Sequence, residues 1–548
     1  MADLKATQAI AGVLDRRRFL ERGMSSLVGI GLLPLAAEAC SAAQPQRDDD
    51  AARTPRRDPA RRPPADAIDV VQRFGFVGDG RTDNYAAFHR WAGHANGRRG
   101  GNYLFPPGTY YVARYRNQDS ILRRPGSVQN PTLRDCDGLG IWGSGAKILL
   151  NGRFHRSARR AGLTIPEGAS TGIFMPFELR GCRNVTISGF EIDGGVRQMT
   201  RDAEVTEMWA HLVTLLGCSR VLLEDLHLHH GQADGIMLAG NHPEGRGLRR
   251  GIACRDVRIN RVNVHNNARG ALAPIQVLGL SCADSRFDGS HSDLGRYAGH
   301  APGFGVDIEP DYSLPADIDT RTGNVEFVRC SFNDNISAFL AAYPDSYQGY
   351  LRILDCRSSN RHGHPHHIII NWPGALIEGG THDAGAGTVW TSWQNQRGGH
   401  LTIRNCTIRT AAPYGVFHAF EGNLLEMERV RIVGGHREPA GNGWVLAIKA
   451  DPGGQRRNRM RGCEIFIPGR RKLDAADYDY EISLAHIVSE ANLFRTDLGA
   501  GRGDHFCTDY GTGAVAIRDR YRGTAPGPND SFRPARSSQH DTRLPYSS

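Results

Sequence analysis

The segment FGVDIEPD, residues 304–311, places three carboxylates, Asp307, Glu309 and Asp311, within five residues. Its apolar residues Val306 and Ile308 predict a buried β-strand, in which successive side chains point to opposite faces. Asp307 and Glu309 would then share the face that points away from the core. Like charges on one strand face repel each other, so the pattern predicts either a solvated surface or a pair of acids held in a groove.

Paired carboxyl groups suit glycoside hydrolysis, in which one group acts as the acid and the other as base or nucleophile. Residues two apart on a strand have Cα atoms about 6.6 Å apart. Their carboxylates can reach the retaining separation of about 5 Å or the inverting one of about 6.5–9.5 Å. We therefore expect Asp307 and Glu309 to form the catalytic pair. A calcium site made of Asp307, Glu309 and Asp311 is the alternative, because Ca²⁺ prefers hard oxygen ligands; no other cofactor or metal is expected.

A cysteine recurs along the chain in segments that share one plan of apolar alternation, a turn and more alternation. Cys182, Cys218 and Cys254 follow one another at intervals of 36 residues. Short β-runs repeated at this period predict an all-β solenoid, the parallel β-helix, in which equivalent positions of successive coils stack about 4.8 Å apart. The cysteines are expected to form one reduced internal ladder, with a disulfide framework as the alternative. Its expected members are Cys182, Cys218, Cys254, Cys330, Cys356 and Cys406.

Residues 69–112 contain a glycine-rich GDG, then Thr82-Asp83 as a helix N-cap, an apolar helical face, and a strand closed by Pro106-Pro107-Gly108. This opening resembles that of the pectate lyase and polygalacturonase-like superfamily. The resemblance implies a right-handed parallel β-helix with an N-terminal capping helix. The paired aspartates, Gly-His-Gly and Arg-Ile-Lys of polygalacturonases do not occur in the sequence in the expected arrangement. The resemblance therefore implies the fold and leaves the specificity open.

Equivalent strands of successive coils are expected to stack into a column, which begins with residues 233–238 and ends with residues 414–420. Aligned on the glycines of four of these strands, the column places Asp307 level with Met237, Leu272 and Phe417. Acids then occupy one coil of a mainly apolar column. This pattern predicts a substrate groove with a charged centre.

Neighbouring coils supply further candidates for this groove. Asp234, in QADG, and Asp311 are expected to assist catalysis. The expected substrate-binding residues are His230, His367, Trp372, Trp390 and Trp393. A transition-metal site in HLHHG (227–231) or HGHPHH (362–367) is the alternative for the histidines, although these spacings match no familiar site. Hydrogen bonding to a sugar, or a base for β-elimination, is the expected role.

Residues 1–40 resemble a twin-arginine (Tat) export signal, because Arg16–Arg18 precede an apolar stretch too short to span a membrane. Ala37-Glu38-Ala39 offers a cleavage site, and Cys40 behind it offers a lipid anchor. We therefore expect the Tat export machinery as a partner and a periplasmic or extracellular location, with an outer-membrane lipoprotein as the alternative.

The remaining boundaries follow from composition. Residues 41–66 are Pro-rich and charged and predict a disordered linker, residues 67–522 the β-helix domain, and residues 523–548 a flexible tail. The net charge of +9 is spread along the chain, and no nucleic-acid module is recognisable, so nucleic acid is not expected as a partner.

These observations together favour an exported enzyme that cleaves a polysaccharide or oligosaccharide, most simply a glycoside hydrolase with paired carboxylates. A lyase or C5-epimerase acting on a uronic-acid polymer is the nearest alternative. A non-catalytic glycan-binding or surface-scaffold protein is the alternative of another class.

Overall fold

The fold was obtained as a computed structural model. The residues it describes are 61–113, 130–151, 155–156, 159–160, 163–164, 174–201, 210–241, 252–297, 299, 301–309, 321–337, 339–342, 347–362, 366–370, 372–385, 388–391, 398–410, 417–419, 423–434, 446–450, 458–467, 482–484, 487–496, 508–510, 515–518 and 520–522. The expected signal with Cys40, most of the linker and the tail lie outside these ranges.

Each turn of the chain passes through three rows of parallel strands. The rows are named row 1, row 2 and row 3 in the order in which the chain passes through them. Each strand pairs with the equivalent strand of the next coil, so the pairing partners are a full coil apart in sequence. This is a right-handed parallel β-helix, as the sequence predicted.

Row 1 is a sheet in which the described residues form thirteen strands. They are Leu133–Arg134, Phe177–Arg180, Val213–Leu216, Ile236–Ala239, Leu272–Pro274, Val306–Ile308, Leu340–Ala342, His366–Ile369, Thr388–Thr391, Phe417–Ala419, Leu446–Ala450, Ile482–Leu484 and Thr508–Tyr510.

Rows 2 and 3 are joined into one sheet because two long strands, Asp137–Leu150 and Arg183–Asp193, run through both. The other row 2 strands are Ile68–Asp69, Gly101–Leu104, Ser219–Glu224, Cys254–Asn260, Val277–Ala283, Thr322–Val328, Tyr347–Leu354, Ala375–Glu378, His400–Arg404, Leu424–Glu428, Asn458–Arg461, Ile487–Glu490 and Val515–Ile517. The other row 3 strands are Gly108–Val112, His227–His229, Asn263–His265, Arg286–Asp288, Ser331–Asn333, Arg357–Ser359, Thr381–Asp383, Thr407–Thr410, Arg431–Gly434, Glu464–Ile467, Leu493–Thr496 and Arg520–Arg522. Two small pairs lie outside the rows: His155–Arg156 with Thr200–Arg201, and Arg159–Arg160 with Leu163–Thr164.

The helices in the described part of the chain are Val70–Phe74, Tyr85–Arg98 and the short 3-10 helix Val196–Gln198. Tyr85–Arg98 is the predicted capping helix, and it buries Trp91 against Phe105 and Phe177 of the first coils. Its N-cap is Asn84, but Asp83 of the expected Thr82-Asp83 does cap the first turn, since its Oδ1 accepts from the backbone nitrogen of Tyr85 at 3.1 Å. The side chain of Asn84 makes no capping bond; it hydrogen-bonds the backbone of Val77, Thr82 and Tyr111 instead.

The interior is a single core of stacked apolar side chains from all three rows. All six expected ladder cysteines are buried there as free thiols. Together with Cys136 and Cys463, they form two columns rather than one. Cys136, Cys182, Cys218 and Cys254 stand at the corner between rows 1 and 2, whereas Cys330, Cys356, Cys406 and Cys463 stand at the bend between rows 2 and 3. The columns differ because the cysteine precedes a row 2 strand in the early coils and a row 3 strand in the later ones.

Among the described residues, no helix has both the length and the apolar character needed to cross a membrane.

Candidate active site

Asp307 lies in the middle of the row 1 strand Val306–Ile308, and Glu309 follows that strand directly. Val306 and Ile308 belong to the core, so alternation directs Asp307 to the other side of the strand. Neither acid is solvated, because Asp307 is 1% and Glu309 5% exposed. A solvated strand face therefore does not explain the pair.

Among the described residues, Arg269 on the preceding coil places a positive charge against these acids. Its Nη2 lies 3.3 Å from Asp307 Oδ2 and 3.0 Å from Glu309 Oε1. Its Nη1 donates to Asp234 Oδ2 at 2.8 Å. Asp234, Arg269, Asp307 and Glu309 are called the carboxylate network below. The network joins three successive coils, and the guanidinium offsets the repulsion between the acids.

Asp234 is the most deeply buried member of the network, with 0% exposure. Burial alone would raise the pKa of this carboxyl, but the charge of Arg269 and the hydrogen bond from His211 outweigh burial and hold the pKa well below its usual range. Nδ1 of His211 lies 3.2 Å from Asp234 Oδ2 and 3.3 Å from the Asp234 backbone nitrogen. We assign the proton to Nδ1, because a bond to a carboxylate is stronger than one accepted from an amide.

Gly270 allows the backbone to pass close to this carboxylate. A Cβ at this position would lie 2.7 Å from Asp234 Oδ1, closer than Cβ atoms are found to other atoms. The glycine next to Arg269 is therefore needed to bring Arg269 and Asp234 together.

The strand register corrects two of the three positions expected level with Asp307. Leu272 pairs with Val306, and Phe417 lies in register with Val306 through the intervening strands. Asp307 itself pairs with Ala341. The alignment on glycines fails because the paired residues lie at different distances from their glycines. Leu272 is two residues after Gly270, whereas its partner Val306 is one residue after Gly305. Only Met237 is placed as expected, in the coil where a single step follows the glycine.

Arg269 and His211 are the members of the site that sequence reasoning missed. Both are nearly buried, with 8% and 3% exposure. Arg269 stands in the quoted run RGALAPI, immediately before a glycine and an apolar strand. A charged residue at the entrance of a buried strand was the available signal, because such a charge needs a partner.

The alternative of a calcium site does not fit the described residues. Asp307 and Glu309 both contact the Arg269 guanidinium, which takes the position among the carboxylates that a cation would need. Ca²⁺ needs six to eight oxygen ligands. Asp311, the third expected ligand and a candidate catalytic residue, lies outside the described residues.

His230 belongs to a different group of side chains, on row 3. His227, His229, His230 and His265 are called the histidine cluster below. His229 and His265 are paired across neighbouring strands, and their rings stack with centroids 5.3 Å apart. Nε2 of His227 lies 2.7 Å from Nε2 of His265, and Nδ1 of His229 lies 2.6 Å from Nδ1 of His230.

Two of these imidazoles are strongly shifted toward the neutral form. Burial, and then repulsion from His229, lower the pKa of His227 and of His230 to about 4. Burial also lowers the pKa of His265. These rings are therefore uncharged at neutral pH, with lone pairs available on ring nitrogens.

His367 and Trp372 lie in the interior, which corrects their expected role in binding sugar. His367 is 1% exposed, and its Nε2 lies 2.7 Å from Ser358 Oγ. Trp372 is 0% exposed and donates from Nε1 to the Gly349 carbonyl at 2.8 Å. A fully buried ring has no face open for stacking. Trp390 lies in the strand Thr388–Thr391, but its side chain, like the whole of Trp393, lies outside the described structure.

A polar cavity of about 590 Å³ opens on row 3 beside the histidine cluster. It is lined by side chains of four coils, among them His265, Arg286, Asp288, Asn333 and Arg361. The sequence analysis did not find it, because these residues are isolated in sequence and meet only through the strand register.

No protein-family model matches the chain. A similar curated protein is the uncharacterized protein YclG of Bacillus subtilis strain 168, which is 24% identical over 285 residues. The match covers 47% of this chain and 42% of the relative, so the chain spans about two fifths of that protein's length.

Similar solved structures include the surface adhesin PfbA of Streptococcus pneumoniae, which is 13% identical, with 83% of this chain and 89% of that chain covered and a TM-score of 0.37. The A-module of a mannuronan C-5 epimerase from Azotobacter vinelandii is 14% identical, with 83% and 96% covered and a TM-score of 0.30. An exopolygalacturonase from Thermotoga maritima is 12% identical, with 79% and 89% covered and a TM-score of 0.30.

Proposed function

We propose that the chain cleaves a polysaccharide by glycoside hydrolysis with retention of configuration, using Asp307 and Glu309. The observation that carries this proposal is the meeting of both carboxylates at one nitrogen of Arg269. Asp307 Oδ2 and Glu309 Oε1 are then at most 6.3 Å apart, which favours the retaining separation of about 5–5.5 Å over the inverting one of about 6.5–9.5 Å. One acid would attack the sugar, and the other would protonate the leaving oxygen.

Arg269 and Asp234 have supporting roles in this mechanism. Two like charges held this close favour a proton on one of the two carboxyls, as a general acid needs, while the charge of Arg269 opposes that protonation. Asp234 engages the other terminal nitrogen and fixes the orientation of the guanidinium. Substrate entry requires the segments over Asp307 to move, since this side chain is 1% exposed.

The test is a screen of the purified full-length chain against a panel of polysaccharides, reading new reducing ends and ultraviolet absorbance together. We expect reducing ends without an unsaturated product, and an initial product with the substrate's anomeric configuration by NMR. Asp307→Asn and Glu309→Gln should each lower the rate by several orders of magnitude, about 10²–10⁴-fold if the acid acts in proton transfer.

The matched control is Asp284→Asn. Asp284 is also paired with an arginine, Arg329, but directly follows the row 2 strand Val277–Ala283, outside the network. This variant should keep full activity. An inverted product would contradict retention, and full activity in both network variants would exclude the pair as catalytic residues.

Elimination from a uronic-acid polymer is the second candidate, and the pairing of His211 with Asp234 favours it. A histidine oriented by a buried carboxylate is an arrangement suited to a general base. An unsaturated product that absorbs in the ultraviolet, lost in His211→Gln, would select this reaction. Binding to a polysaccharide without any product would instead support the glycan-binding alternative.

A further inference from the structure

The histidine cluster lies beside two carboxylates on the outward face of row 3. Glu191 pairs in register with His227, and Asp193 with His229. Glu191, His227 and His229 each offer one ligand atom, and these three atoms lie within 4.8 Å of one another. Nε2 of His229 is 3.3 Å from Glu191 Oε1. We propose that Glu191, His227 and His229 bind a divalent transition-metal ion of the Zn²⁺ type.

The choice of metal follows from the donor set. Two imidazole nitrogens and one carboxylate oxygen suit ions of intermediate softness such as Zn²⁺, Co²⁺ or Ni²⁺, whereas Ca²⁺ and Mg²⁺ prefer oxygen throughout. Three protein ligands also leave a position for water or another ligand. This site lies on row 3 and does not depend on the hydrolysis proposed for row 1.

A second observation comes from His230, which is 6% exposed and whose Nε2 makes no hydrogen bond among the described residues. If His229 binds the ion through Nε2, its Nδ1–H donates to His230 Nδ1 at 2.6 Å. His230 Nε2–H then faces Asp293 Oδ2 at 3.6 Å. Metal-bound histidines commonly donate their second nitrogen in this way, and the partner fixes the tautomer and the ring orientation.

His265 supplies another donor next to the three ligands. Its Nδ1 lies 2.5 Å from Asn266 Oδ1, and the amide of Asn266 donates in turn to the Ser292 carbonyl at 3.1 Å. The amide oxygen can only accept, so Nδ1 of His265 carries the proton and Nε2 presents a lone pair toward His227. His265 also lines the 590 Å³ cavity, which gives the ion a route from solvent.

Lys147 is the cation already present near these carboxylates. Its Nζ contacts Glu191 Oε1 at 2.7 Å and Asp193 Oδ2 at 3.3 Å. The same Oε1 lies 3.3 Å from His229 Nε2, so the ion would compete with Lys147 for this oxygen, and Lys147 would keep Asp193 as its partner.

The test uses the full-length chain, freed of metal by a chelator and then titrated with Co²⁺ and separately with Zn²⁺. Bound metal is counted by mass spectrometry after equilibrium dialysis, and Co²⁺ coordination is read from its visible absorption. We expect about one equivalent per chain, and a rise in thermal midpoint with Zn²⁺ that a chelator reverses. Glu191→Gln, His227→Gln and His229→Gln should each weaken binding at least about 10-fold.

The matched control is His400→Gln. His400 Nε2 lies 3.3 Å from Glu426 Oε2, the same distance as in the His229–Glu191 contact, but outside the cluster. This variant should bind as the wild type does. Far-ultraviolet circular dichroism checks the fold of each variant, and His227→Gln, at a partly exposed position, serves if His229→Gln does not fold. Absence of Co²⁺ uptake by the wild type, or equal uptake by all variants, would overturn the proposal.

Discussion

Replacing Arg269 by methionine should destabilise the protein strongly and in a pH-dependent way. Methionine keeps much of the length of the side chain but leaves Asp234, Asp307 and Glu309 without the guanidinium that all three contact. Removing one partner of a buried ion pair costs about 3–5 kcal/mol. We expect a loss of unfolding free energy in that range near pH 7, because the site is nearly dry.

The sign of the pH dependence follows from Asp234. In the wild type its folded-state pKa lies below the unfolded value, so the group stabilises the fold above about pH 4, and this contribution is lost as the pH falls further. Without Arg269, burial is the largest influence that remains and shifts the folded-state pKa of Asp234 upward, against the lowering by His211. The variant is then penalised most at neutral pH and less as Asp234 becomes protonated. The gap between variant and wild type should therefore shrink from about pH 7 to about pH 4.

The assay is urea denaturation followed by tryptophan fluorescence at both pH values, with Arg329→Met as the control. Arg329 pairs with Asp284 at 2.7 Å but is 52% exposed, so its loss should cost at most about 1 kcal/mol. If Arg269→Met costs no more than Arg329→Met, or costs the same at both pH values, the reasoning about the network is wrong.

Three further predictions concern other parts of the molecule. Thiol titration should detect few reactive cysteines in the native protein and most of the cysteines after denaturation without reductant, because the nine described cysteines are free and buried. If almost no cysteine reacts in the denatured sample, the cysteines form disulfides. Burial lowers the pKa of His382 to about 4, so the free energy of unfolding should fall by about 3 kcal/mol as the pH falls from about 6.5 to about 4. In His382→Gln the free energy of unfolding should fall less over this pH range, and an identical pH dependence in the two proteins would contradict this. Changing Arg16 and Arg17 to lysine should leave the protein in the cytoplasm, as measured by cell fractionation, and normal export of the double variant would refute the Tat assignment.

The fold could be predicted because its signals are local or strictly periodic. The cysteines recur at a fixed period, whereas the alternation around Val306 and Ile308 and the capping helix depend on residues close in sequence. The buried free cysteines, the buried strand and the capping helix were confirmed. The division of the cysteines into two columns was missed, because alternation is similar on both sides of each corner.

The site could be predicted only in part because it depends on coil length. Arg269 is 35 residues from Asp234 and 40 from Glu309, so their meeting is set by how many residues each corner contains. One additional residue between Gly270 and its strand shifts the register by one position relative to an alignment on the glycines. Such a shift moves every side chain of a strand to the other face. The sequence analysis named HLHHG (227–231) but missed His265 for the same reason, since His265 joins this segment only through strand pairing.

The capping helix also limits the stacking of another chain on the first coil. A parallel β-helix is an open-ended stack, and a bare first coil would offer its strand edge to another chain, much as the end of a fibril recruits the next monomer. At this end, Asn96 Oδ1 accepts from the backbone nitrogen of Arg134 in the first row 1 strand, and Asn96 Nδ2 donates to the Thr132 carbonyl. The side chain of a helix thus takes hydrogen bonds that a further coil would otherwise make, and stacking through this edge of row 1 stops there.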